Sequence, residues 1–257
     1  MIDIRNLTKR YASVTAVNDL SLHIPKGEIF GFIGPNGAGK TTTIKMIGGI
    51  LVPTQGEIRI CDISMKENPE AAKIKIGFIP DRPYLYEKLT GIEFLKFMAD
   101  LYRVNSNSFT KKAQQNLAMF SLSDWSHELI ESYSHGMKQR LIMAAALLHD
   151  PEVIIVDEPM VGLDPLGIKL VKDLFQRLSK QGKTIFVSTH TLQIAEDMCH
   201  RVGIIDKGRL IVSGSPQELK QDLPSDTANL EEVFIHLTRN DVNGDKSSSH
   251  EPHPHLA

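Results

Sequence analysis

The chain has 257 residues, which fits one large domain or two small ones at ~150 residues per domain. Its 29 Lys and Arg residues nearly balance its 31 Asp and Glu residues, and a net charge of −2 argues against a protein that coats nucleic acid. A hydrophobic content of 41% excludes a disordered chain, and the longest apolar run, residues 141–148, is far shorter than the ~20 residues of a membrane-spanning helix.

Short apolar runs alternate with helical patterns along the chain, which is typical of an α/β domain with a mainly parallel sheet. Antiparallel strands with one face in water are predicted where apolar and polar residues alternate, at residues 2–7, 16–24 and 56–60. Buried strands are predicted by continuous apolar runs, at residues 28–34, 74–80, 153–156 and 184–188. Residues 202–205 and 210–212 predict a hairpin around Lys207 and Gly208.

Helical periodicity is clearest at residues 170–178, where apolar side chains share one face and Gly182 is the predicted stop. Ser134 precedes an apolar helix that we expect to run to about residue 148, before Asp150 and Pro151. Residues 84–148 interrupt the strand–helix alternation and predict an inserted helical subdomain. The polar residues 240–257 are expected to be a disordered tail.

The start of the chain lacks the pattern of a signal peptide. Cys61 and Cys199 have no metal-ligand spacing, and we expect both to be reduced thiols in the cytosol.

A glycine-rich loop, GPNGAGKT at residues 34–41, fits the pattern G-x-x-x-x-G-K-[ST] and lies between a predicted strand and a helical run. Backbone N–H groups turned around a triphosphate leave no room for side chains, and the following helix adds its positive N-terminal end. We expect Lys40 to reach the β- and γ-phosphates and the Thr41 hydroxyl to hold Mg²⁺. The predicted nucleotide contacts are Gly34, Pro35, Asn36, Gly37, Ala38, Gly39, Lys40, Thr41 and Thr42.

Two adjacent acids, Asp157 and Glu158, end the apolar run at residues 153–156. Such a pair at the end of a buried strand is costly unless a cation compensates it. We expect Asp157 to hold Mg²⁺ and Glu158 to face the attacking water. The sequence therefore predicts ATP binding with Mg²⁺, and hydrolysis by positioning and charge neutralisation.

Five further features resemble the ABC ATPase family. Residues 133–140 (YSHGMKQR) resemble its signature motif, usually Leu-Ser-Gly-Gly-Gln before a basic pair, and residues 162–164 (GLD) are similar to its D-loop. His190 resembles the switch histidine, Tyr11 the aromatic that stacks on adenine, and Asp81 falls where the family commonly has the Q-loop glutamine. The resemblance covers roughly residues 1–220, in the order of the family.

The resemblance implies a P-loop NTPase fold with an ABC-type core sheet, an antiparallel β subdomain and the inserted helical subdomain. It implies that two such domains pair head to tail, with ATP between the phosphate loop of one and Ser134 and Gly136 of the other, and with Asp164 beside it. His190 would sense the γ-phosphate and orient Glu158, and Asp81 would meet the metal.

Ordinary structural alternatives exist for three of these residues. A lone histidine after a buried strand, such as His190, is more often a packed or surface residue than a phosphate sensor. The aromatic rings at residues 80–90 have such an alternative as well, since they could pack within the helical subdomain. A helix N-cap explains Ser134 equally well, and Tyr11 could be an ordinary edge aromatic. The sequence also departs from the family where His135 replaces the first signature glycine, Met137 replaces the signature glutamine, and Asp81 carries a full negative charge.

The resemblance implies the ATP-binding subunit of an ABC transporter, on the cytoplasmic face of the cell membrane, docked on a separate membrane subunit through residues 80–90. Residues 228–238 are similar to the terminal helix of the ABC-2-type exporter branch, so we expect a C-terminal helical extension at 221–239 and transport outward. A soluble ABC protein acting on ribosomes or DNA is the main alternative, and a kinase-like P-loop protein is another. One P-loop, no sustained heptads and no cysteine clusters argue against the soluble ABC protein, and the signature and switch elements argue against the kinase-like protein. No nucleic acid partner is expected.

Overall fold

A computed structural model describes residues 1–82, 84–221 and 230–235. Its strands are β1 (Ile2–Tyr11), β2 (Val14–Ile24), β3 (Ile29–Ile33), β4 (Gln55–Ile60), β5 (Ile63–Ser64), β6 (Ile76–Ile79), β7 (Val153–Asp157), β8 (Thr184–Thr189), β9 (Arg201–Asp206) and β10 (Arg209–Gly214). Its helices are α1 (Lys40–Ile47), α2 (Pro69–Ile74), α3 (Gly91–Leu101), α4 (Ser106–Met119), α5 (His135–Ala146), α6 (Pro165–Lys180), α7 (Leu192–Met198) and α8 (Pro216–Gln221). Residues 230–235 are also helical, and the predicted tail at 240–257 lies outside the described residues.

The strands form two sheets. The larger has the order β10-β9-β3-β8-β7-β6 and is parallel except for β10, which forms the predicted hairpin with β9. The smaller is antiparallel, in the order β2-β1-β4-β5. The alternating runs thus lie in the antiparallel sheet and the continuous apolar runs in the parallel one, as predicted.

Both faces of the parallel sheet are covered, which explains why every residue of β3, β7 and β8 is buried. Phe30 and Phe32 project to the side shared with α1 and the antiparallel sheet. Ile29 and Ile33, one residue out of step, project to the side shared with α6, α7 and the helices between β6 and β7.

Helices α3, α4 and α5 follow β6 and precede β7 in the chain. Each has a polar N-cap: Thr90 forms a capping box with Glu93, Asn105 caps α4 and Ser134 caps α5. The apolar faces of these helices join the cluster on their side of the parallel sheet.

Several predicted boundaries differ from the structure. Strand β1 continues to Tyr11 rather than residue 7, and β2 begins at Val14 rather than residue 16. The run at 74–80 is not all strand. Asn68 and Pro69 begin helix α2, which ends at Ile74, and β6 begins only at Ile76. Helix α5 ends at Ala146 rather than near residue 148. Gly182 follows α6 with φ +86°, the left-handed conformation that a stopping glycine favours.

Candidate functional site

The glycine-rich loop connects β3 to α1 and fits closely against its surroundings. A Cβ on Gly34 would lie 2.3 Å from the carbonyl oxygen of Ile205. Gly39 has φ +106°, and a Cβ there would lie 2.4 Å from the carbonyl oxygen of Ala16. Glycine is therefore required at both positions, and the loop is held against β9 and β2.

Lys40 is the first residue of α1, and its ammonium folds back onto the loop. Its Nζ donates to the carbonyl oxygens of Gly34 (2.6 Å) and Pro35 (3.1 Å). Burial lowers the pKa of Lys40, and the carboxylates of Glu158 and Asp157 oppose that shift. A buried cation that faces this loop is suited to bind an anion there.

Asp157 ends β7 beside the start of α1, where its Oδ2 lies 3.5 Å from the Thr41 hydroxyl. Burial raises the pKa of Asp157, and the neighbouring Glu158 and Asp81 carboxylates raise it further. Carboxylate and hydroxyl oxygens are ligands that Mg²⁺ prefers. Within the described ranges no group of three or more His, Cys, Asp or Glu side chains could hold a metal ion.

Glu158 has the most constrained carboxylate of the site. Its backbone has φ +49°, which is uncommon for a residue other than glycine. Its Oε1 accepts a hydrogen bond from the backbone N–H of His190 (3.0 Å) and lies 2.7 Å from His190 Nδ1. Its Oε2 accepts a hydrogen bond from the Thr189 hydroxyl (3.1 Å). The end of β8 therefore fixes both oxygens of Glu158.

These side chains surround one cleft of about 450 Å³. Its lining residues are Ala16, Asn36, Gly37, Gly39, Lys40, Thr41, Thr42, Asp81, Asp157, Glu158, Val161 and His190. The structure thus brings together the predicted phosphate loop, both acids, Asp81 and His190. Gly34, Pro35 and Ala38 belong to the loop but do not line the cleft.

Four further predicted site residues, all outside the glycine-rich loop, are also absent from this lining: Tyr11, Ser134, Gly136 and Asp164. Tyr11 is half-exposed at the end of β1, with Lys9 Nζ 5.2 Å from its ring centre. Ser134 Oγ accepts the Met137 N–H (3.2 Å) and Asp164 Oδ1 accepts the Gly167 N–H (2.9 Å). In the single chain, Ser134 and Asp164 are therefore helix N-caps.

The start of α5 packs against the predicted D-loop of the same chain. Gly162 has φ +78°, and a Cβ there would lie 2.1 Å from His135 Cδ2. A Cβ on Gly136 would lie 3.2 Å from the Gly162 carbonyl oxygen. His135, which replaces the first signature glycine, thus covers Gly162.

Sequence reasoning missed Ala16, Val161 and Thr189. Thr189 directly precedes His190 at the end of an apolar strand, so its position was a usable signal. Nothing in the local sequence marks Ala16, because only the fold places it beside Gly39.

The two-sheet architecture and this cleft define a P-loop ATPase of the ABC type, and the family described as "ABC transporter" matches residues 17–161. The chain belongs to the ABC transporter family, and it is an ATP-binding and ATP-hydrolysing subunit. The predicted family and fold are confirmed.

Curated relatives are ATP-binding proteins of transport and resistance systems. The chain is 41% identical over 220 residues to the bacitracin transport ATP-binding protein BcrA of Enterococcus faecalis, covering 85% of this chain and 70% of that protein. It is 36% identical over 243 residues to the linearmycin resistance ATP-binding protein LnrL of Bacillus subtilis, covering 95% and 76%. It is 40% identical over 222 residues to a fluoroquinolones export ATP-binding protein of Mycobacterium tuberculosis, covering 86% and 72%.

Solved structures agree with the fold. An ATP-binding subunit of an ABC transporter superposes with a TM-score of 0.87 at 32% identity, covering 93% of this chain and 99% of that one. The dimeric cassette MJ0796, in a post-hydrolysis state with ADP and phosphate, gives a TM-score of 0.75 at 28% identity, covering 84% and 98%. No helix in the described part of the chain is long and apolar enough to cross a membrane.

Proposed function

We propose that this chain is the motor of an exporter: it binds ATP with Mg²⁺, pairs with a second nucleotide-binding subunit and drives a separate membrane subunit. ATP hydrolysis is supported above all by the position of the Glu158 carboxylate, which Thr189 and His190 hold by hydrogen bonds. This carboxylate lines the same cleft as Lys40 and Thr41.

The phosphate loop and Lys40 would hold the β- and γ-phosphates. The Lys40 ammonium would exchange its contacts with the Gly34 and Pro35 carbonyl oxygens for phosphate oxygens, which relieve the cost of its burial. Thr41 and Asp157, with Asp81 nearby, would hold Mg²⁺. When bound, the metal supplies charge neutralisation on the phosphates and on the acids.

Glu158 would orient the attacking water and accept its proton. Both of its oxygens already accept hydrogen bonds, from Thr189 at the end of β8 and from His190 just after it, so the carboxylate needs little reorganisation before reaction. The side chain of His190 is 60% exposed, and this leaves its imidazole accessible to the γ-phosphate. His190 would therefore report the presence of ATP to Glu158.

The exposed Ser134 and the neighbouring Gly136 stand at the start of α5, where they could meet the ATP of a second subunit. Asp164 would support that contact from the D-loop, and Tyr11 would stack on the adenine from the edge of β1. The dimeric cassette among the similar structures supports this pairing.

Export is supported by relatives whose names specify bacitracin transport, linearmycin resistance and fluoroquinolone export. Tyr84 and Tyr86 are 85% and 60% exposed, next to Asp81, and would contact the membrane subunit. The chain would then lie on the cytoplasmic face of the membrane. Pro83, within the predicted docking segment, lies outside the described residues.

The test uses tagged Glu158→Gln protein in its native host, because Gln keeps the shape of the site but cannot take the proton. The membranes are solubilised gently in ATP and Mg²⁺, and the parent chain in ADP serves as control. A polytopic membrane protein that co-purifies in stoichiometric amount with the variant supports the proposal. Ribosomal or DNA-repair proteins without a membrane partner would overturn the transporter assignment.

A further inference from the structure

Helix α7 begins only two residues after the catalytic end of β8, and these two residues are His190 and Thr191. The backbone N–H of Thr191, the N-cap residue of α7, donates to Thr189 Oγ1 (3.0 Å). The same Thr189 hydroxyl donates to Glu158 Oε2 (3.1 Å). One hydroxyl therefore bridges the start of α7 and the Glu158 carboxylate, so a shift of α7 must disturb this carboxylate.

The far end of α7 is anchored by Glu196. Its Oε1 pairs with the Lys220 ammonium of α8, and its Oε2 accepts the backbone N–H of Leu230 (3.3 Å). The Glu196 side chain is 21% exposed, so this pair is partly shielded from water. Glu196 thus joins α7 to two separate pieces of the C-terminal part of the chain.

The helical segment at 230–235 packs as part of the domain. Leu230 is fully buried and Val233 is 3% exposed, and both belong to the same hydrophobic cluster as Ala195 and Met198 of α7. Helix α7 in turn lies close over β3, since a Cβ on Gly31 would be 3.5 Å from Ala195 Cβ. This helical segment therefore covers a helix that contacts the strand leading to the phosphate loop.

We infer that Glu196 is a positioning residue for ATP hydrolysis. It connects α7 to α8 and to the helical residues 230–235, which together are called the C-terminal segment here. This connection holds the turn at Thr189 and His190 against Glu158. Glu196 is outside the lining of the cleft and touches no reacting group. The inference rests on the hydrolytic role proposed above for Glu158 and His190. The C-terminal segment then sets the rate of hydrolysis rather than the affinity for ATP.

Two variants test the two sides of the anchor. Glu196→Gln keeps an oxygen for the Leu230 N–H but removes the charge that pairs with Lys220, and Lys220→Met removes the cation but keeps an apolar stem. The matched control is Asp150→Asn, which breaks the Lys183–Asp150 pair (2.8 Å) away from α7. The double variant Glu196→Gln/Lys220→Met shows whether the two single substitutions lower kcat by removing the same ion pair.

The purified full-length chains are compared by steady-state ATP hydrolysis, thermal unfolding and hydrogen exchange. We expect each single variant to lower kcat by about 3- to 10-fold, with KM for ATP changed by less than about twofold and faster amide exchange at 190–198. The double variant should lose no more than the singles, and Asp150→Asn should stay within about 1.5-fold of the parent.

A parental kcat in both single variants overturns the inference, even if their exchange or melting temperature changes, because Glu196 is then only a structural anchor. A loss of kcat as large in Asp150→Asn also overturns it. Glu158→Gln in the same series separates the two proposals. If Glu158→Gln is inactive while Glu196→Gln is parental, only this inference fails; if Glu158→Gln hydrolyses ATP at the parental rate, the proposed catalytic role fails.

Discussion

His190 holds Glu158 with two different groups, since its backbone N–H and its Nδ1 both lie within 3.0 Å of the same carboxylate oxygen. The backbone contact survives substitution of the side chain by any residue other than proline, whereas the imidazole contact does not. The two contacts can therefore be separated by mutation.

His190→Ala is expected to lower kcat by about 10²-fold or more, the usual scale for losing an acid–base or orienting group. ATP affinity should change little, because the phosphate loop and Lys40 are untouched. Single-turnover hydrolysis together with equilibrium binding of a fluorescent ATP analogue checks this. A variant that loses binding as strongly as turnover would contradict the assignment.

Lys40→Ala is expected to weaken ATP binding by about 10- to 100-fold, because a charge-assisted contact contributes roughly 1.5–3 kcal/mol. Lys40→Arg should also bind poorly, since a planar guanidinium cannot replace the compact ammonium that contacts the Gly34 and Pro35 carbonyl oxygens. Calorimetry with ATP and Mg²⁺ measures both. Lys45→Ala, at the other end of α1, is the matched control and should bind normally.

Asp157→Asn is expected to stabilise the nucleotide-free chain at neutral pH while removing Mg²⁺-dependent ATP binding. Burial in the folded chain raises the pKa of Asp157 above its value in the unfolded chain, so folding disfavours the ionised carboxylate. The free energy of unfolding therefore falls as the pH rises from the pKa of the unfolded chain through that of the folded chain. Asparagine carries no charge, so the variant should be more stable than the parent chain at neutral pH. This difference in stability should vanish in acid, below both pKa values, where Asp157 is protonated in the folded and the unfolded chain. Thermal unfolding across pH, with and without ATP and Mg²⁺, tests it. A variant that is less stable at neutral pH would contradict the assignment.

Gly162→Ala is expected to destabilise the chain by about 1–3 kcal/mol, because φ is +78° and the new methyl group would overlap His135. His135→Gly in the same chain should recover part of that loss by removing the overlap but not the backbone strain. Denaturant unfolding of both single variants and the double variant measures the coupling. Strict additivity would show that His135 does not pack on Gly162.

The sequence predicted those parts of the fold and site that rest on local pattern. The run before Asp157 predicted a strand because it is buried on both faces, and the loop at 34–41 carries its chemistry in consecutive residues. Ile74 was misassigned because apolar character cannot distinguish a buried strand from the end of a short capped helix.

Contacts between distant segments could not be predicted in this way. Ala16 lines the cleft only because the antiparallel sheet approaches Gly39. The Glu196–Leu230 contact joins residues 34 apart through a helix and a hairpin, and neither residue type marks it. The roles of Ser134 and Asp164 in a composite site stay predictions, since both are N-caps in the single chain.

The position of β3 has a consequence for biosynthesis. Its neighbours in the sheet are β8 and β9, which pair with it through Ile185 and Val202 and lie more than 150 residues later in the chain. A nascent chain that ends before residue 184 therefore contains the glycine-rich loop but neither strand that flanks it. Pairing of segments so far apart in the chain is slow and requires the late strands. The glycine-rich loop is therefore synthesised early but reaches its folded environment only after β8 and β9 have been made.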